Sequence, residues 1–319
     1  MKQNLLDTIE KHDTIIIVRH VRPDPDAFGS QKGLAELIQL NTNKTVYVAG
    51  EDEPSLSFLA TMDNVPEDVW KRALVIICDT ANRERIDGKQ YEDALATFKV
   101  DHHPPIDQYA DEEWVDTECS STSEMVTRWY VDVAKPNGWK MSDAAATLLY
   151  AGIVGDTGRF RHPNTTSDTL KAASVLFENN IDSTELFANL YKKPLQLVQL
   201  EGEVLSEVAL SEAGVSVMTI RRHQLDKYNV SVNESSALVH SISDVEGLLA
   251  WVMFVELSDG TFRVRLRSKA PVINGLAERY GGGGHPLAAG ALAKDESEIA
   301  AIVSELNALA SSFKANQTP

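Results

Sequence analysis

Residues 19–30 constrain this chain more than any other stretch. Arg19-His20-Val21-Arg22-Pro23-Asp24-Pro25-Asp26-Ala27-Phe28-Gly29-Ser30 follows the apolar run Ile15-Ile16-Ile17-Val18 and precedes an amphipathic stretch that begins near Gln31. A short apolar run of this kind reads as a buried parallel strand, and Ala35-Glu36-Leu37-Ile38 beyond the loop reads as helix. In an open α/β sheet, ligands bind where strands end and helices begin. One imidazole and two carboxylates crowd into the loop while Pro23 and Pro25 limit its freedom, which makes a poor core segment and a good set of divalent-metal ligands. Alone, His20-x-x-x-Asp24-x-Asp26 also fits a solvated acidic turn, because Asp and Pro are ordinary turn residues.

Three further clusters decide between these readings. Val75-Ile76-Ile77-Cys78 delivers Asp79-Thr80, Phe98-Lys99-Val100 delivers Asp101-His102-His103-Pro104, and an apolar helix over 144–154 delivers Gly155-Asp156-Thr157-Gly158. If the strands are parallel, the first three clusters converge on one sheet edge. Singly, Asp79 fits a helix cap, His102 and His103 a surface pair, and Asp156 a turn; together, at matching ends, they point to one site. Imidazole mixed with carboxylate suits Mn²⁺ or a similar first-row ion better than Ca²⁺, and the lack of thiolate ligands disfavours structural zinc. Six or so ligands exceed what one such ion with open positions uses. Two ions about 3.5–4 Å apart, sharing a carboxylate, would clamp a phosphoryl group and supply hydroxide near neutral pH. That chemistry is hydrolytic and directed at phosphorus.

The 319 residues suffice for two domains. The first half alternates apolar runs (near 14–19, 45–49, 73–78 and 97–101) with helical stretches near 2–11, 29–40 and 54–60, the signature of βαβ units. Further helices are expected over 125–133, 144–154 and on to about 191. The charged stretch 192–207 reads as a helical linker. Beyond it come a strand at 215–220, a hairpin of 251–257 with 262–267 turned by Ser258-Asp259-Gly260, a helix near 272–280, a glycine loop and a helix near 296–313. The expected fold is α/β, an N-terminal mainly parallel sheet flanked by helices with a smaller C-terminal α/β domain across a cleft. The expected boundaries are 1–191 for the metal-binding domain, 192–208 for the linker and 209–319 for the substrate domain. A net charge of −17 argues against binding of long duplex nucleic acid through a broad basic surface. No window carries the ~18 unbroken apolar residues of a membrane helix, and no signal-peptide core is evident. A cytoplasmic protein without membrane contact is expected, with Cys78 and Cys119 reduced.

The residues His20, Asp24, Asp26, Gly29 and Ser30, then Asp79, then Asp101-His102-His103, then Asp156, together resemble the four motifs of the DHH phosphoesterase superfamily. Gly281-Gly282-Gly283-Gly284-His285 resembles the signature of the DHH-associated substrate domain. The layout is similar to the branch that contains short-oligoribonucleases and 3′-phosphoadenosine 5′-phosphate (pAp) phosphatases. The resemblance implies that His20, Asp24 and Asp79 hold one metal and that Asp26, Asp79, His102 and Asp156 hold the other, with Asp79 bridging. It leaves His103 to contact the phosphate and protonate the leaving oxygen, with Asp101 orienting the histidines. Which of His102 and His103 binds metal stays open.

The remaining motifs suggest how substrate is held. Phe262-Arg263-Val264-Arg265-Leu266-Arg267 alternates with period two, so one strand face carries three guanidiniums. Arginine's planar fork suits phosphate, although a solvated edge strand would look similar. Four consecutive glycines exceed the needs of a helix C-cap and fit a backbone cradle for an anion, with Gly282, Gly283 and Gly284 as its amides; a flexible hinge is the other reading. By resemblance His285 contacts the terminal phosphate or sugar. One of Arg159, Arg161 and His162 is expected to face the cleft, with Phe160 as core or a base-stacking surface, and Arg22 to face substrate or solvent. The expected activity is metal-dependent hydrolysis of very short RNA and linear dinucleotides such as pApA to mononucleotides, extending to pAp. Cyclic di-AMP hydrolysis and a non-catalytic nucleotide-binding regulator are the alternatives. A homodimer is left open.

Overall fold

A computed structural model describes residues 1–317, which form two compact units, residues 1–192 and residues 193 onward. In the first unit, strands β1 (Thr14–Val18), β2 (Thr45–Val48), β3 (Leu74–Cys78), β4 (Ala96–Asp101) and β5 (Glu112–Val115) form one sheet in the order β2-β1-β3-β4-β5. Every pairing is parallel, with Ile15 opposite both Val46 and Leu74, and Cys78 opposite Val100. The unbroken apolar runs follow from burial on both faces. Ile15, Ile17, Leu74 and Ile76 enter the core under the main helices, while Ile16, Val18, Val75 and Ile77 pack on the opposite face with Trp70, Ile86 and Tyr91.

The helices of this unit are α1 (Lys2–Lys11), α2 (Pro25–Asn41), α3 (Glu67–Trp70), α4 (Thr122–Trp129), α5 (Asp143–Asp156), α6 (Ser167–Leu176) and α7 (Ser183–Leu190). Helix α2 begins four residues earlier than the sequence pattern predicts, because Asp24 caps it by accepting the amides of Asp26 and Ala27 while Pro25 takes the first turn. The helix expected at 54–60 is a single 3₁₀ turn, Pro54–Leu56, fastened by the Glu53 side chain. Strand β5 was not foreseen: of Glu112-Glu113-Trp114-Val115 only Trp114 is buried, so an edge strand hides behind charged residues. Asp156 sits in the last turn of α5 rather than beyond it.

The second unit carries β6 (Val215–Ile220), β7 (Ala250–Glu256), β8 (Phe262–Ser268), β9 (Gly283–His285) and β10 (Ala288–Ala293), ordered β6-β7-β8-β10-β9, with α8 (Leu195–Ser206), α9 (Arg222–Tyr228), α10 (Asn274–Arg279) and α11 (Glu296–Gln317). Only β6 and β7 run parallel. The stretch read as a linker is mostly α8, whose Leu197, Leu200 and Val204 are buried with Met218, Ile220 and Trp251 in this unit's core. Its apolar face, spaced three and four residues apart, overrides its charged appearance. No helix among the described residues is long and apolar enough to cross a membrane.

Candidate metal centre

The order β2-β1-β3 reverses direction between β1 and β3, and at such a switch point the loops leaving the two strands part and open a crevice at their carboxyl ends. His20 follows β1 and Asp79 follows β3. The next strand, β4, ends in Asp101 and leads into His102 and His103, and the last turn of α5 brings Asp156. All six predicted metal ligands therefore meet. Asp79 Oδ2 lies 3.4 Å from His20 Nε2, which is 3.7 Å from Asp24 Oδ2. Asp79 Oδ1 lies 3.5 Å from His102 Nε2 and 3.5 Å from His103 Nδ1. His102 Nε2 is 3.2 Å from Asp156 Oδ2. Ligand atoms of His20, Asp24 and Asp79 form one group within 4.8 Å of one another, those of Asp26, His102 and Asp156 a second, and those of Asp79, His102 and His103 a third.

The electrostatics fit cations. Burial pushes the Asp26 carboxyl well above its usual range, helped by Asp79 and Asp156. Burial, with Asp79 and Asp24, lifts Asp156 to about 6 against the pull of His102. Burial opposes charge on the imidazoles, yet Asp24 and Asp79 raise His20 to about 10, and Asp156, Asp26 and Asp79 raise His102 to about 10. His102 Nε2 is buried without a well-formed hydrogen bond. Crowded carboxylates facing imidazole nitrogens, one of which lacks a well-formed hydrogen bond, are what a divalent cation would satisfy. Asp79 itself has φ 54, a left-handed conformation that Asp tolerates better than most residues, at a cost on the order of 1 kcal/mol.

Several supporting residues escaped the sequence reading. The run Ser120-Ser121-Thr122-Ser123 has the hydroxyls of an ordinary helix cap, and Ser121 does cap α4. The same turn also holds the centre: Asp26 Oδ2 accepts the Thr122 amide at 2.7 Å, Asp26 Oδ1 accepts the Ser123 amide at 2.9 Å, and the Thr122 hydroxyl donates to Asp79 Oδ1 at 3.1 Å. A helix N-terminus favours such anions. Gly152 faces this carboxylate, and a Cβ there would stand 2.6 Å from Asp26 Oδ1 and 2.0 Å from Ser123 Oγ. Lys99, fully buried, lies 3.3 Å from Asp101 Oδ2. Arg19 is buried in an ion pair with Asp87. No spacing rule marks Thr122, Ser123, Gly152 or Arg19, because each acts through a fold contact distant in sequence.

Residues predicted to bind substrate fall in both units. In the first, Arg159 is exposed in a left-handed turn after α5 with its guanidinium 4.3 Å from the Tyr191 ring centre, and Phe160 packs partly buried against the core. In the second, β8 is a central strand, not an edge, and Arg263, Arg265 and Arg267 line one of its faces opposite Leu292, Gly290 and Ala288 of β10. His285 pairs with Ala288, and Gly283 with Gly290, on the far side of β10. Arg265 and Arg267 thus stand beside a floor of small residues. Burial lowers the Arg265 pKa to about 10, with Arg263 and Arg267 adding to the shift, and its buried Nη1 has no hydrogen-bond partner. The glycine run is not the free cradle expected. The Gly281 amide donates to Glu278 and the Gly282 amide to Ala277, and residues from Gly283 onward form β9. Gly282 and Gly284 are needed because the backbones nearly touch: a Cβ on Gly282 would lie 1.9 Å from the Gly290 carbonyl oxygen, and one on Gly284 2.6 Å from that of Ala288.

Comparison with known proteins agrees with this geometry. Over 310 residues the chain is 49% identical to the bifunctional oligoribonuclease and PAP phosphatase NrnA of Bacillus subtilis, covering 97% of this chain and 98% of that protein. It is 46% identical to a probable bifunctional oligoribonuclease and PAP phosphatase NrnA of Streptococcus mutans, covering 96% and 98%. The crystal structure of an exopolyphosphatase-related protein from Bacteroides fragilis shares the fold, with a TM-score of 0.86 at 22% identity and 97% coverage of each chain. Residues 14–153 match the DHH family N-terminal domain and residues 212–312 the DHHA1 domain. With these matches over nearly its whole length, the chain belongs to the DHH family of phosphoesterases.

Proposed function

We propose that this enzyme hydrolyses very short oligoribonucleotides and linear dinucleotides of the pApA type to mononucleotides, and pAp to AMP, with two divalent cations, Mn²⁺ serving best. The position of Asp79 carries the reading: one carboxylate oxygen turns to His20 and the other to His102. His20, Asp24 and Asp79 would hold one cation, and Asp26, Asp79, His102 and Asp156 the other. When bound, such a pair lowers the pKa of a coordinated water toward neutrality and neutralises phosphoryl charge. His103, held at Nδ1 by Asp101, is left with Nε2 to protonate the departing oxygen. Arg265, Arg267, Gly283 and His285 would hold the substrate's distal phosphate or sugar, and Arg159 an anionic or base moiety in the first unit. The substrates named for the relatives support this choice. The setting is read as cytoplasmic. The test is hydrolysis of pApA, pAp, cyclic di-AMP and two-to-five-nucleotide RNA by the purified enzyme with Mn²⁺, products resolved by chromatography. Rapid conversion of pAp and short RNA with cyclic di-AMP left intact is expected; turnover of cyclic di-AMP alone would overturn the proposal.

A further inference from the structure

The segment that follows β3 turns back along the metal loop and is stitched to it. Val21 donates its amide to the Arg85 carbonyl at 2.7 Å, His20 and Ile86 form an isolated antiparallel bridge, and Asp87 donates its amide to the Arg19 carbonyl at 2.8 Å. These backbone bonds fix Arg85 beside His20, with its Nη2 3.1 Å from His20 Nδ1. The same ring nitrogen lies 2.9 Å from the Val21 carbonyl oxygen. One nitrogen cannot serve both groups. Carrying a proton it donates to Val21; bare, it accepts from Arg85.

Nδ1 carries the proton in either state of the centre, since an imidazolium is protonated on both nitrogens and a metal-bound neutral ring keeps only this one. His20 Nε2 faces Asp79 and Asp24, so a cation held there takes the Nε2 lone pair, and a neutral imidazole then carries its proton on Nδ1. That proton belongs to Val21, and the guanidinium is left without its acceptor. Arg85 has no carboxylate within 4.0 Å among the described residues, in contrast to Arg19, which is spent on Asp87. It is half-buried at the rim of the centre. A planar cation so placed, with free N–H donors, matches a phosphoryl oxygen better than it matches water. We propose that Arg85 is a phosphate-contacting catalytic residue of the first unit, binding a phosphoryl oxygen of the substrate once the centre is loaded. The inference rests on the phosphoesterase reading of the centre.

The test compares wild type, Arg85→Ala and Arg85→Lys in the full chain. Calorimetric titration with Mn²⁺ should give the same stoichiometry for all three. AMP should then bind the Mn²⁺-loaded Arg85→Ala protein at least about tenfold more weakly than wild type, with Arg85→Lys in between, as for loss of a charge-assisted contact. The kcat/KM for pAp should fall by a similar factor. Wild-type AMP affinity in Arg85→Ala overturns the proposal. So does loss of Mn²⁺ stoichiometry in Arg85→Ala or Arg85→Lys, which would make the residue a support for His20. A wild-type enzyme inactive on every nucleotide tested would defeat the substrate reading alone, since AMP binding still reports on Arg85.

Discussion

Asp101 holds His103 twice, accepting the ring at Nδ1 over 2.8 Å and the backbone amide over 3.2 Å through the same oxygen. Its other oxygen faces the buried Lys99 ammonium, which also donates to the Ala81 carbonyl and lies 4.5 Å from the Tyr109 ring centre. Burial would push the Asp101 carboxyl up, but His103 and Lys99 hold it below its ordinary value. The ring is thereby fixed in one orientation, with Nδ1 committed and Nε2 available. His103→Ala is expected to keep its bound metal while kcat falls by roughly two to four powers of ten, the range for a lost general acid or charge-stabilising contact. Metal analysis beside steady-state kinetics checks this. If His103→Ala loses metal and His102→Ala keeps it, the two roles are exchanged.

The bridging arrangement of Asp79 makes a second prediction. A carboxylate that serves both cations should cost more metal when removed than one that serves a single cation. Asp79→Ala is expected to lose both Mn²⁺ ions, and Asp26→Ala one. Elemental analysis after dialysis gives the answer, and equal losses would remove the case for Asp79 as the bridge.

Metal uptake should depend on pH with a fixed sign. In the metal-free protein His20 and His102 each titrate near 10, so at neutral pH both rings are protonated and must shed a proton before their nitrogens can bind a cation. Mn²⁺ affinity is expected to rise as pH increases from 6 to 9, with proton release. Calorimetry in buffers of different ionisation enthalpy would measure the protons released, and an affinity independent of pH would contradict the raised values.

The second unit should act on binding rather than chemistry. Arg267→Ala and His285→Ala are each expected to lower kcat/KM for pApA at least about tenfold, equivalent to ~1.4 kcal/mol. Bis-p-nitrophenyl phosphate, too small to need distant contacts, should be cleaved almost normally by both. Asp156→Ala should abolish both reactions. If the two substrates suffer equally in Arg267→Ala or His285→Ala with metal and fold retained, this division of labour is wrong.

The parts of this molecule that could be read from the chain are those where one residue type has few physical uses. The all-apolar runs Ile15–Val18 and Leu74–Cys78, leading into His20 and Asp79, announce buried parallel strands and their cargo, because Ile76 and its neighbours admit no solvated face. What stayed hidden depends on partners far along the chain. Glu112–Val115 looks like loop because an edge strand needs only one buried side chain. Gly283–His285 looks like loop because its pairing partner, Ala288–Ala293, offers small residues without a strand pattern. Asp26 was legible as a candidate ligand but its anchorage was not, since the Thr122 and Ser123 amides that hold it lie 96 and 97 residues away.

That anchorage sets a limit on transplantation. Gly29 and Gly152 let α2, α4 and α5 approach until a single methyl would collide, with Leu148's carbonyl oxygen 2.4 Å from a Cβ at Gly29 and Ser123 Oγ 2.0 Å from one at Gly152. The placement of Asp26 is thus inherited from a three-helix contact rather than from its own loop. Copying the histidines and aspartates onto another parallel sheet would reproduce the donors and miss their spacing. The smallest portable version of this centre includes two glycines that never touch a metal.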